Sequence, residues 1–276
     1  MRRRILFFLV CAVIAACTQD TPPTQTSKPL KVGLDPTYPP FEMRDTSGNL
    51  TGVSVDLAKA IGKHLSRPIE CVPLDFQGLL PALQTGKIDL VISSMTATAE
   101  RAQKVAFSAP YVENGLCLLV PLNSDLTSIN SLDKPGRTVV VRTGTTGHVY
   151  AAKNIHSAQV IPLELTEACA NEVLNGNVDA FIYDQLSVLE YAARHPTKLR
   201  AIAQAFQKEA WAIAMRQDQP ELLAQVNSAL NTLRRDKFLL ESFTKYPVLA
   251  ERRAQLEAQG QPLFFILGEE AKNAAE

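Results

Sequence analysis

The chain has 276 residues, with 28 Lys and Arg against 28 Asp and Glu, four His and five Cys. Without residues 1–16, 25 basic residues face 28 acidic ones, a balance that argues against a nucleic-acid partner. No cysteine or histidine spacing reads as a metal or redox motif, no Gly-rich phosphate loop or Gly-x-Ser-x-Gly elbow occurs, and no cofactor is expected.

Arg2, Arg3 and Arg4 precede an apolar run from Ile5 to Ala16. A basic start, a short apolar core and small residues describe a secretory signal, too short to span a membrane. Cys17 after Ala15 and Ala16 resembles a bacterial lipoprotein signal. That resemblance implies a signal peptide over 1–16, lipidation at Cys17 and a periplasmic protein held to a membrane by its lipid. The polar, proline-bearing stretch 17–29 suits a tether.

Short apolar strands then alternate with amphipathic helices. Leu30–Leu34, Ile69–Leu74 and Ile88–Ile92 read as strands, with helices over Val53–Leu65 and Gly78–Thr85 between them. In the first of these helices Val53, Leu57, Ala60, Ile61 and Leu65 share one face. The β-α-β-α-β order implies a parallel sheet with right-handed crossovers. Gly115–Pro121 reads as a strand leaving this unit. The pattern restarts with strands at Arg137–Val141, Ala158–Pro162 and Val178–Tyr183, and helices at Thr146–Lys153, Leu165–Leu174 and Gln185–Ala193. Trp211–Met215 reads as a returning strand, followed by helices over Pro220–Arg234 and Lys237–Lys245. Leu249–Gln259 is a charged helical stretch, and Pro262–Gly268 an apolar run expected to pack on the first lobe. The expected class is therefore α/β, with two lobes and a discontinuous first lobe. Lobe 1 takes 30–112 plus 213–276, lobe 2 takes 118–208, and 113–117 and 209–212 form the hinge. Cys71, Cys117 and Cys169 allow at most one disulfide and are expected to be buried free thiols.

In open α/β sheets ligands bind outside the carboxyl ends of the strands, so the polar residues there are the candidates. They are Asp35 with Tyr38, Asp75-Phe76, Ser93-Ser94-Met95-Thr96 with Arg101 behind, Arg142 to Gly147, and Tyr183-Asp184. Thr98 suits the N-cap of a helix carrying Arg101 in its first turn. A guanidinium fork beside helical N–H groups suits a carboxylate. Together the set fits a zwitterion. Arg101 and the backbone N–H groups near Thr96 and Thr146 would hold an α-carboxylate, and Asp184 with the Ser94 region an α-ammonium. Tyr38 and Phe76 would sandwich the side chain, with Asp35 at its far end. Asp184 also suits a plain helix cap.

These residues lie in an ordered set of motifs. Val32-Gly-Leu-Asp-Pro-Thr-Tyr-Pro-Pro-Phe-Glu42, Gly52-Val-Ser-Val-Asp56, Asp75-Phe-Gln-Gly-Leu-Leu-Pro81, Gly86-Lys-Ile-Asp89 and Ile92-Ser-Ser-Met-Thr-Ala-Thr-Ala-Glu-Arg101 come first. Phe107-Ser-Ala-Pro-Tyr111, Gly144-Thr-Thr-Gly147 and Tyr183-Asp184 follow. Over residues 30 to 246 the chain resembles bacterial solute-binding protein family 3, the polar amino acid-binding receptors of ABC importers. That resemblance implies a type II periplasmic-binding-protein-like fold whose lobes close on the ligand. It implies ligand contacts at Asp35, Tyr38, Phe76, Ser93, Ser94, Thr96, Arg101, Arg142, Thr146 and Asp184, and no catalytic residue or metal. The expected function is capture of a basic or amide L-amino acid for the permease subunits of an ABC importer, by a monomer rather than an enzyme. Arg142 stands at a position that varies widely among such receptors, and a cation there favours an amide or acidic side chain, whereas Asp35 favours a basic or amide one. The alternatives are a cyclohexadienyl dehydratase-like enzyme, for which Glu42 and Glu113 are the nearest acids, and a ligand sensor for a membrane partner.

Overall fold

The structure, a computed structural model, describes residues 28–246. The signal, Cys17 and the tether up to residue 27 lie outside the described residues, as do the Leu249–Gln259 and Pro262–Gly268 stretches. No helix among the described residues is long and apolar enough to cross a membrane.

The first lobe starts with β1 (Leu30–Leu34), the short β2 (Met43–Arg44) and β3 (Leu50–Thr51), α1 (Val53–His64), β4 (Ile69–Pro73) and α2 (Phe76–Gln84). It continues through β5 (Leu90–Val91), α3 (Ala99–Ala102) and β6 (Ala106–Phe107). β1 lies parallel to both β4 and β5. α1 buries Val53, Leu57, Ala58 and Ile61 while Lys59 and Lys63 stay exposed, the one-sided burial of a helix covering a sheet. Ala60 and Leu65, expected on the same face, are half-buried at its margin.

The chain leaves through β7 (Val112–Pro121) and builds the second lobe. Its elements are α4 (Ile129–Leu132), β8 (Thr138–Arg142), α5 (Thr146–Asn154), β9 (Gln159–Leu163), α6 (Thr166–Leu174), β10 (Ala180–Asp184) and α7 (Gln185–Arg194). β11 (Leu199–Trp211) returns to β12 (Ala214–Met215), and α8 (Pro220–Arg235) and α9 (Phe238–Lys245) finish the described chain. The first sheet has the order β4-β1-β5-β12-β6 and the second β11-β7-β10-β8-β9. Val139, Val140 and Val141 of β8 are all fully buried, as in parallel strands covered on both faces.

β7 and β11 pair antiparallel from Val112↔Trp211 to Pro121↔Leu199, with an irregularity between Ile202 and Gln207. This ribbon belongs to the second sheet, and its Val112–Trp211 end meets the first lobe. The sequence pattern put one returning strand over Trp211–Met215. The structure instead ends β11 at Trp211 and opens β12 at Ala214. Between them the chain changes sheets: Ala212 N–H donates to Met95 O at 3.0 Å and Ile213 N–H to Ser108 Oγ at 3.0 Å. The strand character of 199–208 escaped the sequence reading because its burial does not alternate cleanly. α2 starts at Phe76, two residues before the expected Gly78. Cys71, Cys117 and Cys169 are free thiols. Cys117 and Cys169 are buried, but Cys71 is only partly so, because β4 is an edge strand.

One turn fixes the first wall of the cleft. Tyr38 and Glu42 exchange backbone hydrogen bonds at 2.9 Å in each direction, and Val53 and Ser54 N–H donate to Pro40 and Phe41 O. Gly52 sits against this turn at φ 124°, where a Cβ would lie 2.2 Å from Phe41 O. Both the left-handed backbone and the contact exclude a side chain. Gly52→Ala is therefore expected to lose at least about 2 kcal/mol in urea unfolding; an unchanged midpoint would contradict this account of the turn.

Candidate ligand-binding site

All ten residues expected at the strand ends line one cavity of about 20 Å³, joined by Thr145 and Tyr183. Most arrive at the end of an apolar strand or at the start of the helix after it, where the sheet stops and backbone groups turn outward; Tyr38 comes from the turn after β1 and Arg101 from within α3. Asp35 follows directly on β1 and is buried; its N–H donates to Ser93 Oγ at 2.9 Å. Ser94, at φ 47°, occupies the left-handed region in the loop after β5. It aims its hydroxyl at the Glu42 carboxyl, 3.0 and 3.1 Å away. Thr98 caps α3 by accepting from Arg101 N–H at 3.2 Å, as its position after the serines predicts.

The Arg101 fork spans the two lobes. Nη1 donates to Thr96 O at 2.8 Å and Nη2 to Gly144 O at 3.1 Å. Burial pulls this guanidinium below its usual pKa, against the attraction of Glu209 and Asp184. Asp184 occupies the N-cap position of α7 but makes no cap hydrogen bond. Its carboxylate instead accepts from Tyr38 OH at 3.3 Å and Asn114 Nδ2 at 3.0 Å. Burial and then the charge of Glu209 push the Asp184 pKa well above the carboxylate range.

Arg142 and Asp35 form a buried ion pair between the lobes. Arg142 also donates to Glu164 O at 3.2 Å and Tyr183 OH at 3.4 Å. Its burial opposes charge, but the Tyr183 and Asp35 oxygens outweigh that and raise its pKa. The opposite preferences expected of Asp35 and Arg142 thus meet in one pair. Phe76 faces both guanidinium groups, with Arg101 and Arg142 each 5.5 Å from its ring centroid, a cation–π arrangement. Tyr38 packs edge-on against Trp211 and Tyr183, with centroids 5.8 and 5.9 Å apart. Phe76 and Tyr38 both border the cavity, yet each already has aromatic or cationic partners within the protein.

Two acids beside the cavity were not recognised as its supports from sequence. Glu42 is fully buried and accepts from Ser54 and Ser94. Glu209, on β11, accepts from Thr96 and Thr146. Glu113, the other acid considered, is exposed. The available signal for Glu209 was its place beside Trp211 in the expected hinge. Among the described residues no cluster of three or more His, Cys, Asp or Glu is arranged to hold a metal.

Burial lifts Glu42 from an ordinary 4.5 to about 8, against the lowering by its serine partners. The folded state therefore keeps a proton that the unfolded chain releases above about pH 4.5, so stability falls as pH rises toward 8. Glu42→Gln keeps the shape and removes the titration. Urea unfolding between pH 5.5 and 7.5 is expected to show a slope shallower by about 1.4 kcal/mol per pH unit in the variant. Identical slopes would show that Glu42 is already ionised in the folded protein.

The family model for bacterial extracellular solute-binding proteins, family 3, matches residues 30–248. The L-cystine-binding protein TcyJ of Escherichia coli (strain K12) is 30% identical over 207 residues, covering 75% of this chain and 78% of the relative. Among solved structures, the ancestral amino acid-binding protein AncCDT-1, described as a precursor of cyclohexadienyl dehydratase, shares 38% identity. Its TM-score is 0.73, with 78% of this chain and 94% of that chain covered. The arginine-bound form of truncated ArgBP from T. maritima shares 36% identity at a TM-score of 0.69, covering 74% and 95%.

Proposed function

The chain belongs to the bacterial extracellular solute-binding proteins, family 3, and from that premise we propose that it is a receptor for a free basic or amide amino acid. One observation carries the reading: a guanidinium from the first lobe, Arg101, and a carboxylate from the second, Asp184, border the same cavity. A zwitterion placed between them meets Arg101 with its carboxylate and Asp184 with its ammonium. The Asp35–Arg142 pair offers an acceptor and a donor to a side chain that has both needs or a positive charge. The arginine-bound ArgBP relative supports the basic choice.

A cavity of about 20 Å³ admits about one water, so an amino acid enters only when the lobes separate. Bonds that cross the cleft, including Arg142–Asp35, Tyr38–Asp184 and Arg101–Gly144, then break and are replaced by ligand contacts. Closure follows from the ligand's greater affinity for the closed arrangement, in which both poles are met. The receptor works as a monomer outside the cytoplasm, held to a membrane by lipid on Cys17, and delivers its ligand to ABC importer permease subunits.

A dehydratase-like activity draws on one feature, the proton that Glu42 holds near neutral pH. That carboxyl lies behind Ser94 and does not border the cavity, which favours the receptor reading. Ring dehydration of prephenate or arogenate by the purified protein would reverse the preference.

Calorimetry with L-arginine and L-glutamine tests the assignment. Arg101→Ala and Asp184→Ala are each expected to lose about 2–5 kcal/mol of binding free energy, because each leaves a buried ligand charge unpaired. Affinities close to wild type in both variants would remove the basis for the assignment.

A further inference from the structure

Glu209 stands behind the cavity wall, 8% exposed. One of its oxygens, Oε2, accepts from Thr96 Oγ1 at 2.9 Å and from Thr146 Oγ1 at 2.9 Å. The other, Oε1, accepts from Gln207 Nε2 at 2.8 Å. Thr96 comes from the first lobe and Thr146 from the second, and both border the cavity. A hydroxyl has one proton and two lone pairs, whereas a carboxylate only accepts. Each threonine therefore directs its proton backward to Glu209 and keeps only lone pairs for the cavity.

We propose that Glu209 is a positioning residue that fixes the polarity of the Thr96 and Thr146 hydroxyls, making their side of the cavity an acceptor surface that selects the ligand's α-ammonium. The inference rests on the amino-acid reading above and adds the device by which the ammonium is recognised. Asp184 reinforces it. Its hydrogen bonds come from the neutral donors Tyr38 and Asn114, so no cation of the protein is hydrogen-bonded to it, and a ligand ammonium placed there favours its ionised form. Arg101 contributes donors, and its fork is the group suited to the carboxylate. The backbone N–H groups near Thr96 and Thr146 stay with the carboxylate beside Arg101, whereas the two threonine hydroxyls serve the positive pole of the zwitterion, and a ligand with a hydroxyl in place of the ammonium brings fewer protons to the same acceptors.

The test compares L-arginine with its 2-hydroxy analogue, which keeps the carboxylate and guanidinium. Calorimetry is expected to give the wild type a preference of at least about tenfold for L-arginine. Glu209→Leu frees the threonine protons to turn inward and should narrow that preference by about fivefold or more, the scale of one or two neutral hydrogen bonds. In a Thr96→Val, Thr146→Val background the same Glu209 substitution should change the preference less than about twofold, since its effect runs through the hydroxyls. If Glu209→Leu does not fold, the paired valine variant alone gives the answer, because it removes both acceptors and should narrow the preference comparably. An equal weakening of both probes would mean that the network serves closure alone and would overturn the proposal. So would a full Glu209 effect in the valine background, which would mark a direct charge effect. Wild-type protein that binds neither probe nor any free amino acid refutes the receptor reading itself, a result separate from an unchanged ratio.

Discussion

The Arg101 guanidinium, on α3 of the first lobe, and the Asp184 carboxylate, at the end of β10 in the second, border one cavity, and the rest of the molecule makes sense as the means of bringing them there. Parallel strands with helices on their faces put loose polar ends at the carboxyl edge of each sheet. The β7–β11 ribbon, paired as far as Val112↔Trp211, then joins the two lobes. Neither charge is neutralised by a direct ion pair among the described contacts: Arg101 donates to carbonyls and Asp184 accepts from neutral groups. Burial acts against the charged form of both. Opposite charges kept apart in a confined space are costly by themselves and favourable once a zwitterion spans them.

The other charged pair works differently. Asp35 and Arg142 touch directly, each almost fully buried, and such a pair is weak evidence for stability because desolvation offsets much of its attraction. Under the proposed receptor function its value lies in selectivity. A side chain that inserts there must offer both groups something as good as each other, which an apolar ligand does not. Behind the walls, Glu42 holds the Ser94 hydroxyl, and on the proposal above Glu209 sets where the hydroxyl protons of Thr96 and Thr146 point. The supporting acids therefore shape the hydrogen-bonding character of a surface they do not themselves form.

Much of this was legible from sequence because the rule of strand ends is local. Asp35, Ser93 to Thr96, Arg142 to Thr146 and Asp184 each follow directly on an apolar run, so an apolar stretch followed by polar residues was enough to place them. The Thr98 cap was readable for the same reason. Glu209 and Asn114 escaped because they lie within long strands, where nothing in the local pattern separates a residue facing the cleft from one facing solvent. Glu42 escaped as a buried group because its partners, Ser54 and Ser94, are 12 and 52 residues away. The pairing of Asp35 with Arg142 spans 107 residues and depends on how the lobes meet, which no single segment encodes.

If charges in separate lobes are drawn together around one small molecule, the protein contracts when the ligand binds. Small-angle X-ray scattering of the protein, with and without saturating L-arginine, measures that most directly. The radius of gyration is expected to fall on saturation as the open population is lost. Saturable binding with an unchanged radius of gyration would contradict it, since the ligand would then be held without the lobes moving.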